Sequence, residues 1–162
     1  MTRIYWIDAS PAGRLGIMAR PCAGDLLRDD VAAWRATGVD LVVSLLETEE
    51  VHELALEAEA EFCRDAGIEY VSFPVRDYGV PTSLRDAAAL ARSIAAKISE
   101  GGTVAIHCRG GVGRSSVMAA CVLISGGVSD DDALASIARA RGVRVPETDQ
   151  QRQWVTRFAE TV

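Results

Sequence analysis

The sequence has no long apolar segment and few residues that could form cross-links or hold a metal. No apolar run approaches the roughly 18 residues that a membrane-spanning helix requires, and the first ten residues lack the extended apolar stretch of a signal peptide. The cysteines are widely spaced, without a CxxC pair or a Cys/His cluster, which indicates neither a disulfide scaffold nor zinc: Cys22, Cys63, Cys108 and Cys121. We therefore expect a cytoplasmic protein that needs no metal or other cofactor.

The chain also lacks an excess of positive charge. Its 17 Lys and Arg against 23 Asp and Glu give a net charge of −6, which argues against nucleic acid or an anionic membrane as a partner. Any anion that binds must be held by a local positive site. With 162 residues, 49% hydrophobic and 25% charged, the chain has the size and composition of one globular domain, which we expect to cover residues 1–162.

Short apolar segments alternate with helical patterns along the chain. This alternation predicts an α/β domain with a central, mostly parallel sheet of about five strands flanked by helices. The predicted strands are 4–7, 15–19, 39–46, 68–75 and 103–108. The predicted helices are 25–37, 49–66, 84–100, 114–125, 130–141 and 147–161, with Thr48, Ser83 and Ser129 as N-caps.

Two of the predicted helices have distinctive surfaces. The helix 49–66 is acidic, and we expect its glutamates to form a solvated face and His52 to lie at the surface. The opposite side of that helix would carry an apolar stripe formed by Val51, Leu54, Ala55 and Phe62. The helix 114–125 is apolar on every face, so we expect it to be buried at the centre of the fold.

The segment 107–114, HCRGGVGR, connects the last predicted strand to that buried helix. Gly110, Gly111 and Gly113 leave the turn almost free of Cβ atoms, which suits a backbone that approaches a ligand closely. Successive N–H groups in such a turn, together with the N-terminus of the following helix, form an anion-binding concavity. The predicted phosphate-binding residues are Arg109, Gly110, Gly111, Val112, Gly113 and Arg114.

A cysteine lies at the mouth of this concavity. A thiol at a helix N-terminus beside the guanidinium of Arg114 is stabilised as a thiolate, so Cys108 would be a nucleophile facing a bound phosphate. Arg114 offers a planar fork that suits two oxygens of a tetrahedral oxyanion. The arrangement predicts in-line attack of sulfur on phosphorus, with the loop stabilising the equatorial oxygens.

The stretch HCRGGVGRS fits the H-C-x5-R-[ST] signature of cysteine-dependent protein phosphatases, since five residues separate Cys108 from Arg114. The preceding histidine, the glycine at position 111, Ser115 and the strand–loop–helix context make the match specific. From about residue 15 to about residue 160 the chain resembles the small dual-specificity phosphatases of the cyclin-dependent-kinase-associated phosphatase type. The resemblance implies the phosphatase fold.

Such chemistry needs an acid that protonates the leaving oxygen, on a loop that closes over the phosphate. Asp77, in VRDYGVPTS, looks like the family's general-acid loop, where an aspartate is followed closely by a proline. The resemblance assigns Asp77 as the general acid of the first step and the general base of the second. A simple turn residue is the alternative, and Asp86 would be the next candidate for the acid.

Three further residues are expected to assist. Ser115 can donate a hydrogen bond to the sulfur of Cys108 and stabilise it as a leaving group. His107 would order the loop and favour the thiolate without exchanging protons with substrate. The pattern Glu-Thr-x-x-Gln in PETDQQ resembles the family's C-terminal glutamine motif and gives the positioning of water to Gln151, with the adjacent Gln150 as the alternative.

The predicted activity is hydrolysis of phosphate monoesters on proteins or peptides through a cysteinyl-phosphate intermediate. Phosphotyrosine is the expected substrate, and the sequence leaves open whether phosphoserine and phosphothreonine are substrates as well. The loop would also bind phosphate, sulfate or vanadate. The alternatives are a catalytically weak phosphoprotein-binding module, a phosphatase for a non-protein phosphate ester, and a sulfur transferase of the rhodanese type.

Some side chains keep two interpretations. Arg109 either contacts substrate or points to solvent. A basic cluster would either attract phosphorylated ligands to the pocket rim or pair with neighbouring aspartates: Arg139, Arg141 and Arg144. Three cysteines are expected to be small buried hydrophobes, although one of them could be a redox partner of Cys108: Cys22, Cys63 and Cys121.

Overall fold

The computed structural model describes residues 1–8 and 10–162. Its strands are β1 Ile4–Ile7, β2 Arg14–Met18, β3 Leu41–Ser44, β4 Glu69–Ser72 and β5 Thr103–His107. Its helices are α1 Asp25–Thr37, α2 Thr48–Glu53, α3 Glu59–Asp65, α4 Leu84–Ser99, α5 Arg114–Ser125, α6 Asp130–Arg141 and α7 Asp149–Thr161. In the part of the chain that is described, no helix has both the length and the apolarity needed to cross a membrane.

The five strands form one sheet in the order β1-β2-β5-β3-β4. β1 runs antiparallel to β2, and the other pairs are parallel. The predicted α/β fold with a mostly parallel sheet of about five strands is confirmed. β5 lies at the centre of the sheet, where His107 pairs in register with Met18 of β2 and Ser44 of β3. Cys108 therefore leaves the carboxyl edge of the sheet between two neighbouring strands, which is where open α/β sheets bind ligands.

α5 is buried along its length, as its apolar sequence predicts: every residue from Arg114 to Ile124 is buried. It packs against α4, α6 and α7 as well as against the sheet. The loop 108–113 is thus fixed at both ends by core elements, β5 and α5. A loop held between two buried elements can keep its N–H groups in a set arrangement before a ligand arrives.

The predicted helix 49–66 is wrong as a single helix. Two shorter helices, α2 and α3, replace it, and between them Ala55 adopts a positive φ of 54° while Leu56 is buried in the core. The predicted N-cap at Thr48 is also displaced by one residue. Glu47 is the cap: its carboxylate accepts from the backbone of Glu50, whose own carboxylate accepts from the N–H of Glu47 at 2.9 Å.

The break changes which glutamates face the protein interior. Glu50 and Glu59 are 7% and 0% exposed, so the expectation that the glutamates of this region form a solvated face is wrong for these two. Burial of a carboxylate is unfavourable unless a cation or donor pairs with it, and both do find partners in the site described below. His52 does lie at the surface, with 86% of its side chain exposed.

The other helix boundaries follow the predicted caps closely. Ser83 and Ser129 accept hydrogen bonds from the N–H groups of Asp86 and Asp132, so these two predicted N-caps are confirmed. The last helix begins at Asp149 rather than at residue 147, because Thr148 is its cap. In that cap the hydroxyl of Thr148 accepts from the N–H of Gln151 at 3.1 Å, and the Gln151 side chain accepts from the N–H of Thr148 at 3.1 Å.

Candidate active site

The sulfur of Cys108 lies at the N-terminal end of α5 and is surrounded by hydrogen-bonding groups. The N–H of Gly111 donates to Sγ at 3.3 Å, and Ser115 Oγ lies 3.4 Å from Sγ. The residue is 2% exposed. The structure therefore brings together Cys108 and Ser115 as the sequence predicts.

Gly111 is required by the close approach of another backbone segment, and Gly113 is crowded by the ends of two side chains. Gly111 has φ 71°, and a Cβ on it would lie 2.6 Å from backbone atoms of Met18 and Ala19. A Cβ on Gly113 would lie 2.5 Å from Glu147 Oε1 and 3.0 Å from Gln151 Nε2. The loop is thus packed tightly between β2 and the start of α7. Gly110 has open space beside it, so close packing does not account for that glycine.

Arg141 holds the outer side of the loop. Its Nε donates to the carbonyl of Gly111 at 3.1 Å, and its Nη2 donates to the carbonyl of Gly110 at 3.3 Å. The guanidinium also lies 4.1 Å from the ring centroid of Tyr5, a favourable cation–π geometry. Arg141 thus contacts the loop backbone, which neither sequence interpretation anticipated.

The other two arginines of the predicted basic cluster have different surroundings. Arg139 donates to Ser136 on its own helix at 3.2 Å. Arg144 lines a cavity of about 380 Å³ beside the loop, together with Thr148 and Arg152. The three arginines therefore do not act as one unit.

Arg114 is the buried cation of the site, with a side chain 1% exposed. Both of its terminal nitrogens donate to Glu50, at 2.7 and 2.9 Å, and Nη1 also donates to the carbonyl of Val75 at 2.9 Å. Burial opposes the charge of Arg114, but the hydrogen bonds that it donates to Glu50 and the charges of Cys108, Glu50 and Asp77 raise its pKa. The guanidinium is therefore a permanent cation in a fixed orientation.

Asp77 lies in the loop after β4 and faces that cation. Its Oδ1 is 3.0 Å from Arg114 Nη2 and also accepts from the N–H of Tyr78 at 3.0 Å. Tyr78 has a positive φ of 60° and is 61% exposed. Non-glycine residues rarely adopt this conformation, so the backbone turns sharply where the carboxylate enters the site.

Gln151 lies between the loop that carries Asp77 and Gly113, the last residue of the phosphate loop 108–113. It is completely buried, and its Nε2 donates to the carbonyl of Gly79 at 3.1 Å. Its Oε1 accepts from the N–H groups of Glu147 and Thr148. Gln150 is exposed. The structure therefore brings Gln151, and not Gln150, to the loop.

His107 is buried behind Cys108 and pairs with a residue that the sequence analysis missed. Its Nε2 lies 2.6 Å from Glu59 Oε1, and its Nδ1 lies 3.2 Å from the carbonyl oxygen of Cys108. Glu50 was missed as well. The capping pattern Glu47-x-x-Glu50 could have located the start of α2, but nothing in the local sequence distinguishes Glu59 from its acidic neighbours.

The remaining predicted residues lie at the margin of the site. Arg109 is 44% exposed at its side chain and its Nη2 lies 3.4 Å from Glu53 Oε2, so it points to the rim rather than into the loop. Val112 is partly buried against the core. Burial raises the pKa of Cys63 to about 12, and burial also raises the pKa of Cys121, so both stay thiols at neutral pH.

The fold is that of solved phosphatases, and comparison with protein families agrees. Residues 16–128 match the family described as the DSP-PTPase phosphatase of polymorphic toxin systems. The chain belongs to this family.

Individual relatives support this membership. A solved structure of Tk-PTP in its active form is 28% identical, with a TM-score of 0.80, and covers 98% of this chain and 97% of that one. Kinase-associated phosphatase, solved with a serine in place of its catalytic cysteine, is 21% identical with a TM-score of 0.88. The match covers 99% of the present chain and 95% of the phosphatase, which shows the shared fold.

A protein tyrosine phosphatase domain-containing protein from Danio rerio is 31% identical over 100 residues, or 62% of this chain. The present chain covers only 14% of that relative's length.

Proposed function

We propose that this protein hydrolyses phosphotyrosine, and in addition phosphoserine or phosphothreonine, on proteins or peptides through a cysteinyl-phosphate intermediate, with residues 1–162 forming one phosphatase domain. The observation that carries the proposal is the position of Cys108. Its sulfur has the N–H of Gly111 at 3.3 Å and Ser115 Oγ at 3.4 Å, next to the fixed cation Arg114.

In the first step, the phosphate of the substrate binds to the N–H groups of residues 109–114 and to Arg114. The thiolate of Cys108 attacks phosphorus in line with the ester oxygen, so an S–P bond forms as the P–O bond breaks. Asp77, protonated at this stage, gives its proton to the leaving oxygen. Neutral alcohol or phenol leaves, and the phosphate stays on sulfur.

In the second step, water attacks the phosphocysteine. Asp77 takes a proton from that water, Gln151 positions it, and the P–S bond breaks to release inorganic phosphate. Ser115 donates to the departing sulfur and so stabilises the thiolate that is regenerated. The support for Gln151 is its burial beside Gly113 and its hydrogen bond to Gly79, two residues from Asp77.

The ion pair between Asp77 and Arg114 fits this sequence of events. In the structure, Oδ1 of Asp77 lies 3.0 Å from Nη2 of Arg114. A phosphate dianion is a stronger partner for Arg114, and it would displace Asp77 from the cation. A carboxyl group moved next to the phosphate lies where it can give a proton to the leaving oxygen. Binding of substrate would thus prepare the acid.

Two observations support an aryl phosphate on a protein as the preferred substrate. Cys108 is 2% exposed, so a phosphate must reach it at the end of a side chain long enough to enter the site. The curated relative that is 31% identical is itself described as containing a tyrosine phosphatase domain. We therefore expect faster hydrolysis of a phosphotyrosine peptide than of the matched phosphoserine and phosphothreonine peptides.

The test combines turnover with trapping of the intermediate. The protein should hydrolyse p-nitrophenyl phosphate without added metal, and vanadate should inhibit it. Cys108→Ser should abolish turnover and retain vanadate binding, whereas the control Cys22→Ser should keep the normal rate. Acid quench during turnover should leave phosphate on the peptide that contains Cys108. A near-normal rate for Cys108→Ser would refute the nucleophile, and ligand binding without any turnover would favour the binding-module alternative.

A further inference from the structure

Behind the nucleophile, a histidine and a glutamate form a pair that is closed off from solvent. The side chains of His107 and Glu59 are both 0% exposed, and Nε2 lies 2.6 Å from Oε1. On the other side of the ring, Nδ1 lies 3.2 Å from the carbonyl oxygen of Cys108. Glu59 Oε2 has no hydrogen-bond partner within residues 1–8 and 10–162. The imidazole therefore links a buried carboxyl group to the peptide that carries the reactive sulfur.

The number of protons on this pair decides whether both contacts can be hydrogen bonds. A carbonyl oxygen accepts only, so the contact with Cys108 requires a proton on Nδ1. The contact with Glu59 requires a second proton, either on Nε2 or on the carboxyl group. Both contacts are satisfied when the pair holds two protons, as imidazolium and carboxylate or as neutral imidazole and carboxylic acid. In each form the pair has no net charge.

With one proton fewer, the pair loses a hydrogen bond and gains a net charge. If the remaining proton lies between Nε2 and Oε1, the lone pair of Nδ1 faces the carbonyl of Cys108, acceptor against acceptor. The pair would also carry a net negative charge beside the thiolate, and like charges at short range in a buried site are unfavourable. The two-proton form is therefore the one that is compatible with an ionised Cys108.

The other ionisable groups facing Glu59 do not change this count. Burial first, and then the charge of Glu59, raise the pKa of Cys63 to about 12, against a smaller opposing effect of Arg64. Burial and the same charge raise the pKa of Tyr70 to about 12, against an opposing hydrogen bond with Ser44. Both groups stay neutral at physiological pH, so His107 is the group that balances Glu59.

We propose that Glu59 is a positioning residue for the phosphatase reaction, acting through His107. It keeps a second proton on the pair, so that Nδ1 of His107 donates to the carbonyl of Cys108 and the environment of the thiolate stays free of negative charge. The inference rests on the proposed function, because it concerns the reactivity of Cys108 as the nucleophile.

The first test is spectroscopic and needs no activity. Imidazole ¹⁵N chemical shifts report which ring nitrogens carry protons, and the chain has two histidines, so His52→Gln leaves His107 as a single set of signals. We expect Nδ1 of His107 to carry a proton, because its contact with the carbonyl oxygen of Cys108 requires a donor there. A spectrum in which Nδ1 lacks its proton at neutral pH would overturn the proposal.

The second test uses replacement and rescue. Glu59→Ala should lower the rate of Cys108 alkylation by iodoacetate, followed on the Cys108 peptide by mass spectrometry, by about tenfold, the size of one lost buried hydrogen bond. It should lower kcat/KM for p-nitrophenyl phosphate similarly. Glu59→Gln should restore both, because its amide can donate to Nε2 while Nδ1 keeps its proton and the pair stays neutral.

The matched control is Glu57→Gln. Glu57 Oε1 lies 2.9 Å from His52 Nδ1 in an exposed pair, and loss of the Glu57 carboxylate should leave both rates unchanged. Equal rates for the wild type and Glu59→Ala, or a failure of Glu59→Gln to restore them, would overturn the proposal. Absence of turnover in the wild type would refute the proposed function alone, since alkylation and the ¹⁵N spectrum would still test the pair.

Discussion

Arginine pairs with glutamate twice around the phosphate loop, once inside the protein and once at its surface. Arg114 is held by both oxygens of Glu50, and the two side chains are 1% and 10% exposed. Arg109 makes one contact of 3.4 Å with Glu53, and those side chains are 44% and 64% exposed. Both glutamates belong to α2. The short helix α2 therefore supplies both carboxylates: that of Glu50 orients the buried cation, and that of Glu53 is exposed to solvent.

Histidine pairs with glutamate twice in the same way. His107 and Glu59 are completely buried, whereas His52 and Glu57 are 86% and 57% exposed. Exposed ion pairs contribute about 0–1 kcal/mol. When a buried pair loses one partner, the other charge stays buried without a counter-charge, which lowers the free energy of unfolding by about 3–5 kcal/mol. Two pairs of the same residue types therefore differ in what their loss costs the protein. The buried pairs beside Cys108 are the ones that we expect to matter for the site.

The largest effect is expected where the buried cation meets the proposed acid. Asp77→Ala should lower kcat at the optimal pH by roughly 10²–10⁴-fold, the range for loss of a general acid. It should also remove the basic limb of the pH–rate profile. Asp86→Ala is the matched control, because Asp86 is an aspartate in the first turn of α4, and its activity should stay normal. Survival of the basic limb in Asp77→Ala would assign the acid to another residue.

The second-largest effect is expected on the free energy of unfolding, where loss of the buried Arg–Glu pair should cost more than loss of the exposed one. Glu50→Gln should lower the free energy of unfolding at pH 7 by roughly 3 kcal/mol, since it leaves Arg114 buried without its counter-charge. Glu53→Gln should change it by about 1 kcal/mol or less. Chemical denaturation of both variants measures the contrast. Equal losses would show that burial does not separate the two pairs.

The difference at Glu50 should depend on pH in a defined direction. Burial would raise the pKa of Glu50, but hydrogen bonds from Arg114 and from the N–H of Glu47 outweigh it and hold the pKa below the ordinary 4.5. A carboxyl group whose pKa is lower in the folded than in the unfolded chain stabilises the folded state at any pH above its unfolded-state pKa. That stabilisation is lost as pH falls through the folded-state pKa. The gap between wild type and Glu50→Gln should therefore be full above pH 4.5 and shrink at lower pH.

The sequence alone predicted the parts of this site that local pattern determines. The spacing of Cys108 and Arg114, the glycines between them and the apolar strand and helix on either side are all contiguous, so the loop and its place at the sheet edge could be inferred. The caps Ser83 and Ser129 were predicted for the same reason, since a capping hydroxyl and the N–H group that donates to it lie three residues apart.

Glu50 and Glu59 were beyond such reasoning. Their partners Arg114 and His107 lie 64 and 48 residues away in sequence, so only the packed fold brings them together. The break at Ala55, which separates α2 from α3, is equally hidden, because alanine is a strong helix former and no glycine or proline marks the turn. Tertiary burial overrides local propensity there, and it turns two members of an acidic run inward.

Arg141 lies between the buried and the exposed classes and gives the smallest effect of the series. It is partly buried, and it donates to the carbonyls of Gly110 and Gly111 from outside the loop. Arg141→Ala should weaken phosphate or vanadate binding by about tenfold, as expected for loss of hydrogen bonds from a charged group, because the loop backbone loses its outer support. The effect should appear in the inhibition constant and KM more than in kcat. Arg139→Ala is the matched control, because it removes a guanidinium of the same helix that donates to Ser136 and not to the loop. It should leave both constants unchanged. Equal weakening by the two variants would mean that Arg141 contributes long-range charge and not contact with the loop.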